Sequence, residues 1–169
     1  MAAFLDLVVE EKLETVFMQA ENNVEEEAMR QILTYPNALI GLSDGGAHVN
    51  MLCDAGYCTY LLGHWVREKQ ALTLEQGVKR LTTEPANFFG IKDRGRLKKG
   101  LAADVAIFDP NTVGSARRAQ MRNDLPGGGK RLVMPSQGIE YTIVNGQLLY
   151  DHGKHSGAMP GTVLRSTKN

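Results

Sequence analysis

The sequence predicts an α/β chain in two parts: residues 1–90, mostly helical with one buried strand, and residues 91–169, β-rich. Three observations carry this. Helix start and stop signals fill the first half. A short apolar run, Ala38-Leu39-Ile40-Gly41-Leu42, stands between two of those helices, as a strand covered on both faces does in a parallel sheet. Beyond Gly90 the glycine and proline content rises and the apolar runs shorten, the composition of strands and turns.

The elements follow in order. Asn23 can cap a helix over Val24–Leu33, because Val24, Ala28 and Ile32 fall on one stripe and Glu25, Glu26 and Glu27 occupy the first turn, where the helix dipole favours acids. Pro36 ends it, and the apolar run 38–42 leads into Ser43-Asp44-Gly45-Gly46. A second long helix is expected from about Met51 to Lys69. Thr73 and Gln76 have the spacing of a capping box, which opens a helix with Leu74, Val78 and Leu81 toward one core. Residues Glu84–Phe89 should form a short helical turn closed by Gly90.

In the second half, Val105–Phe108 and Tyr141–Val144 read as strands. The latter runs into Asn145-Gly146 and a returning Gln147–Tyr150, the pattern of a tight β-hairpin. Residues Asn111–Gln137 lack periodicity and are expected to be a long excursion, partly loop.

Composition narrows function. Of 169 residues, 43% are hydrophobic and 22% charged, with 19 basic and 19 acidic side chains; such a chain has a core and lacks the basic excess that nucleic acid or anionic membrane would require. No nucleic-acid or membrane partner is expected. The acidic N-terminus and the lack of a membrane-length apolar run point to the cytoplasm. Cys53 and Cys58, five residues apart in a predicted helix, point to different sides and should not form a disulfide.

Asp44 is the leading candidate for chemistry. A carboxylate at the end of a buried strand, followed by two glycines, sits where α/β folds place active sites. There it could ligate a metal or accept a proton from metal-bound water; the plainer reading is a helix cap or turn former. His48, four residues on, could share that site or be an ordinary turn residue. His64, next to Trp65, reads as packing. The spacing of His48, Cys53, Cys58 and His64 matches no common zinc framework. Pro126-Gly127-Gly128-Gly129-Lys130 lacks the order of a phosphate loop and reads as a turn. His152 and His155 belong to another turn, and no serine stands in a nucleophile elbow.

Three stretches together resemble the amidohydrolase superfamily, in its N-acyl-D-amino-acid deacylase (D-aminoacylase) branch. Gly41-Leu42-Ser43-Asp44-Gly45-Gly46-Ala47-His48-Val49 is similar to the final barrel strand and its loop. Leu81–Gly90 resembles the short helix before the small β domain, and Asp93–Asp109 that domain's opening; Ile143–Gly146 and Gly157–Gly161 fit its close. The resemblance implies the C-terminal portion of a metal-dependent hydrolase (β/α)8 barrel, its last strand and helices, followed by a small β-sandwich-type domain. It implies hydrolysis of non-peptide carbon–nitrogen bonds, as in N-acyl-D-amino acids, with zinc in the complete enzyme and none required of this chain by itself. Asp44 matches the aspartate that contacts the metal centre and acts as general base; Ser43 and His48 match positions beside the substrate.

A complete barrel takes about 250 residues, and the family's H-x-H pair, bridging ligand and later metal-binding histidines have no counterpart among the four histidines here. The chain is therefore expected to be inactive alone: a C-terminal fragment of the enzyme, or a subunit of a split hydrolase completed by an N-terminal partner polypeptide. The alternative is a noncatalytic, self-associating structural module, with a homo-oligomer expected because barrel elements without neighbours leave apolar surface and strand edges uncovered.

Overall fold

The structure, a computed structural model, describes residues 2–15, 17, 23–41 and 48–165. Two compact units divide the chain, residues 1–33 and 34–169. The first contains helix α1 (Ala2–Glu10) and most of α2 (Glu26–Thr34). Helix α2 begins two residues later than the stripe suggested, and Asn23 takes a left-handed backbone with φ of 58°. Glu26 and Glu27 still occupy its first turn. Val24, Ala28 and Ile32 line a shallow apolar hollow with Asn23, Glu25 and Met29.

The second unit opens with residues 35–41, where the expected buried strand is replaced by unpaired chain. A buried strand needs partners on its edges, and every strand pair among the described residues is antiparallel and lies elsewhere. The carbonyls of Tyr35 and Ala38 are instead taken by the Arg80 guanidinium, at 2.7 and 2.6 Å. Leu42 lies outside the described residues.

The predicted helix over 51–69 is shorter and wider than expected. Helix α3 (Tyr57–Tyr60) continues directly into a π-helical segment, Leu61–Glu68. Its wide turns show in Lys69 N–H donating to His64 O, five residues back, at 2.8 Å. Gly63 allows the close approach of the next layer: a Cβ there would lie 2.8 Å from Val113 O and 3.0 Å from Gly114 Cα.

Helix α4 (Leu74–Leu81) carries the capping box that was read from the sequence: Gln76 N–H donates to Thr73 Oγ1, and Thr73 N–H to Gln76 Oε1. Its buried residues are Gly77 and Arg80, whereas Leu74, Val78 and Leu81 are half-buried. Arg80 is buried on this helix because its guanidinium reaches the Tyr35 and Ala38 carbonyls. Helix α5 (Thr83–Phe88) follows, and Gly90 closes it with φ of 69°. The core gathers here, in Leu61, Leu62, Trp65, Leu72, Ala86 and Val113.

Eight short strands follow among the described residues. A four-stranded antiparallel sheet has the order β1-β6-β7-β8, formed by Val105–Phe108, Ile139–Val144, Gln147–Asp151 and Lys154–His155. The β6–β7 turn is the one predicted: Asn145 and Gly146 have φ of 47° and 79°, the paired positive values that a two-residue hairpin demands. The excursion over 111–137 is more ordered than expected. Strands β2 (Gly114–Ser115) and β5 (Ser136–Gln137) pair with each other, and between them β3 (Gln120–Leu125) and β4 (Gly129–Val133) form a ribbon. All six β3 residues are exposed, so no alternation of apolar and polar residues announced the strand. Pro126–Gly128 make a 3-10 turn joining β3 to β4, and no helix follows it, which bears on the phosphate-loop question.

Candidate active site

Ser43 and Asp44 lie outside the described residues, and His48 is the first described residue beyond them. His48 has φ of 48° and an exposed side chain. Its carbonyl accepts from Met51 N–H at 2.7 Å and Leu52 N–H at 3.2 Å, so the residue opens a tight turn. The chain on either side of the Ser43-Asp44 pair is held by distant elements. Before it, Arg80, only 6% exposed, grips Tyr35 and Ala38. After it, Val49 O accepts from Leu132 N–H of β4 at 2.6 Å.

Arg80 is balanced by Glu84, one helical turn on, at 3.4 Å, and Glu84 also lies 3.5 Å from Lys79. A buried guanidinium needs such a partner and a set of acceptors. Sequence reading missed both Arg80 and the β3–β4 ribbon as neighbours of this region. For Arg80 no local signal existed, since its acceptors are 42 and 45 residues away.

The neighbouring polar groups are structural. Gly56 O accepts from Ser115 Oγ at 2.6 Å and Thr59 Oγ1 at 3.1 Å, tying the start of α3 to β2. Arg67 donates to Val113 O. His64 stacks on Tyr60 with centroids 4.8 Å apart, meets Trp65 edge-on, and places Nδ1 2.9 Å from Glu68 Oε2. That contact, ahead of Arg67 and Arg117, holds the Glu68 carboxyl below its ordinary range. A hydrogen bond with the Cys58 side chain, helped by burial, pushes the Tyr57 phenol up. Cys53 and Cys58 are free thiols.

The second half is fastened by Arg94. It donates to Asp104 and, at 3.1 Å, to Asn145 Oδ1, while Asp104 Oδ1 accepts from Asn145 N–H at 2.8 Å and Asn145 Nδ2 reaches Pro160 O at 2.7 Å. His152 sits between Glu140 and Asp151, 2.6 Å from each carboxylate, and His155 Nδ1 accepts from Gly157 N–H at 2.9 Å.

Among the described residues, no three His, Cys, Asp or Glu side chains converge where a metal ion could be held. The described residues therefore do not make a zinc site by themselves. Also among them, no helix is long and apolar enough to cross a membrane.

The fold, a helical layer leading through a Gly-rich loop into a small antiparallel β unit, has a clear family. Residues 3–150 match the model of the amidohydrolase family, and the chain belongs to that family. Several of its relatives there are acyl-amino-acid deacylases. The chain is 37% identical over 145 residues to N-acyl-D-glutamate deacylase of Alcaligenes xylosoxydans xylosoxydans, covering 84% of this chain and 27% of that protein. It is 29% identical over 146 residues to D-aminoacylase of the same organism, covering 85% and 28%. A crystal structure of D-aminoacylase superposes with a TM-score of 0.66 at 30% identity, covering 84% of this chain and 28% of that one. N-acyl-D-glutamate deacylase from Bordetella bronchiseptica, solved with zinc and a phosphonate inhibitor that mimics the tetrahedral intermediate, gives 0.60 at 36% identity, with 84% and 28% covered. The chain thus spans about a quarter of the length of these relatives. It is an α/β piece of an amidohydrolase architecture, and no barrel closes among the described residues.

Proposed function

We infer that this chain forms part of a metal-dependent amidohydrolase that cleaves the amide bond of N-acyl amino acids. The observation that carries the reading is the family match over residues 3–150, refined by 37% identity to an N-acyl-D-glutamate deacylase. In this reading Asp44 is the proton-transfer residue. Its carboxylate accepts a proton from the attacking water and returns it to the departing amine nitrogen, which avoids expelling an amide anion. Ser43 and His48 stand beside the bound substrate.

Zinc, in the complete enzyme, supplies the lowered pKa of the water and charge stabilisation. The described residues do not assemble a site for it, and the reading assigns the remaining ligands to the rest of the enzyme, whether on the same polypeptide or on a partner. A lone carboxylate cannot produce hydroxide near neutral pH, so the chain by itself should hydrolyse negligibly.

The test is release of D-glutamate from N-acetyl-D-glutamate by the pure chain, then by the chain mixed with the N-terminal three-quarters of a related deacylase. Metal content is measured by elemental mass spectrometry in both samples. Turnover only on mixing, lost with chelator and lost in Asp44→Asn, is expected. Turnover that survives Asp44→Asn or chelation overturns the reading; chelator-sensitive turnover by the chain alone overturns its dependence on a partner.

One observation favours a second reading, a self-associating module: Phe4, Leu5 and Val9 of α1 are 46%, 52% and 76% exposed. Sedimentation velocity distinguishes it. A discrete homo-oligomer that persists in the presence of the N-terminal polypeptide supports the module, and a heterodimer supports the hydrolase.

A further inference from the structure

The sequence contains one Asn-Gly pair, Asn145-Gly146, and it forms the β6–β7 turn. In a flexible chain such a pair loses its side-chain amide readily, because a glycine, lacking Cβ, lets its own backbone nitrogen approach the preceding carboxamide. The Gly146 nitrogen forms a bond to Asn145 Cγ, the Cγ–Nδ2 bond breaks, and the displaced nitrogen leaves as ammonia, taking the Gly146 amide proton with it. Water then opens the cyclic imide at one carbonyl or the other, giving aspartate or a backbone-lengthened isoaspartate. The only co-reactant is water.

In the folded chain both reacting groups are held elsewhere. Gly146 N–H donates to Ala103 O at 2.9 Å, so the nitrogen that would attack is committed to another carbonyl. Asn145 Nδ2 donates to Pro160 O at 2.7 Å and Asn145 Oδ1 accepts from Arg94 Nη2 at 3.1 Å, which fixes both ends of the carboxamide. Asp104 completes the cluster, accepting from Asn145 N–H at 2.8 Å and from Arg94. Asn145 is half-buried and Gly146 is exposed, so water is at hand once these contacts part.

We propose that Asn145 is a deamidation site gated by Arg94, Asp104 and the Pro160 carbonyl, shut while the cluster is intact and reactive when the turn opens locally. The product cannot close the gate again. An aspartate at 145 exchanges the Nδ2 donor for an oxygen facing Pro160 O, and brings a second carboxylate beside Asp104. Isoaspartate lengthens a turn whose strand register depends on a two-residue connection. The modification is therefore a permanent record of opening in the β unit, whether or not the chain takes part in hydrolysis.

The full chain and a synthetic peptide of residues 140–151 are incubated at neutral pH and body temperature, and Asn145, aspartate and isoaspartate are quantified by peptide mass spectrometry. The folded chain should react at least about tenfold more slowly than the peptide. Hydrogen exchange and deamidation both need Gly146 N–H released, so the slowdown should match the exchange protection of that amide to within about tenfold. Arg94→Gln should remove most of the slowdown, while the α4 amides keep their protection. Arg94→Lys keeps the charge beside Asp104 without the fork and should fall between. If Arg94→Gln unfolds the chain, wild type in urea below its unfolding midpoint replaces it, and the rate should rise in step with Gly146 exchange.

A folded chain that deamidates as fast as the peptide overturns the gate, as does a slowdown unrelated to Gly146 protection. Wild-type rates in the folded Arg94 variants, or an urea series in which the rate ignores Gly146 exchange, overturn the cluster's role. An intact Asn145 in the fully unfolded chain overturns the site itself.

Discussion

Arg80 and Ala38 are 42 residues apart in sequence, yet Arg80 Nη1 donates to Ala38 O at 2.6 Å, while Nη2 donates to Tyr35 O. One buried side chain thereby holds the stretch that leads toward Ser43 and Asp44. Replacing it with Met leaves two carbonyls without their donor and Glu84 with Lys79 alone. A loss of about 2–4 kcal/mol in urea unfolding is expected. Lys in its place keeps the charge but not the fork, and should recover less than half of the loss.

Gly63 sets the spacing between the π-helical segment and β2. Alanine there brings Cβ to 2.8 Å from Val113 O, a backbone atom that can retreat only by moving the strand. Gly63→Ala should destabilise by about 1–3 kcal/mol, measured as a shift in the denaturation midpoint with an unchanged slope.

Asp104 links pH to the stability of the β unit. Its carboxyl is held below the ordinary range, first by Asn145 N–H and then by Arg94. A depressed folded pKa means that the stabilisation is fully present above the unfolded value of 3.8 and disappears as pH falls through the folded value. Asp104→Asn should therefore lower the melting temperature at pH 7, and the gap from wild type should narrow as pH drops below about 4.

His152 has the opposite sign. The hydrogen bond to Asp151, with the nearby Glu140, raises its imidazole pKa above the ordinary 6.5. A raised folded pKa adds stability that is complete below 6.5 and fades as pH rises through the folded value. NMR titration of the ring should place its midpoint above 6.5, with Asp151→Asn lowering it more than Glu140→Gln.

Local signals carried far in this sequence. The Thr73–Gln76 capping box and the Asn145-Gly146 turn involve groups within a few residues of one another, and both stand where the sequence put them. The failures are long-range. Residues 38–41 have the composition of a buried strand, but no strand pairs with them and Arg80 takes their carbonyls instead. The β3–β4 ribbon is exposed along one whole strand, so it lacks the alternation that marks a half-buried strand. In the candidate site, the tight turn at His48 fits its Gly-rich neighbourhood, whereas the connection of Val49 to β4 depends on tertiary pairing. The roles of Asp44 and Ser43 come from resemblance, and those two residues lie outside the described part of the chain.

Strands β1 and β6 pair with each other although some thirty residues separate them, and Asp109 N–H donates to Gly138 O at 2.9 Å where that intervening stretch leaves and rejoins the sheet. Its two ends are thus already stitched together, much as the ends of a removable cassette would be. Selection could lengthen, recharge or exchange the ribbon inside this loop while β1, β6 and β7 keep their register. Within one family, such a joint would let binding preference diverge without rebuilding the sheet.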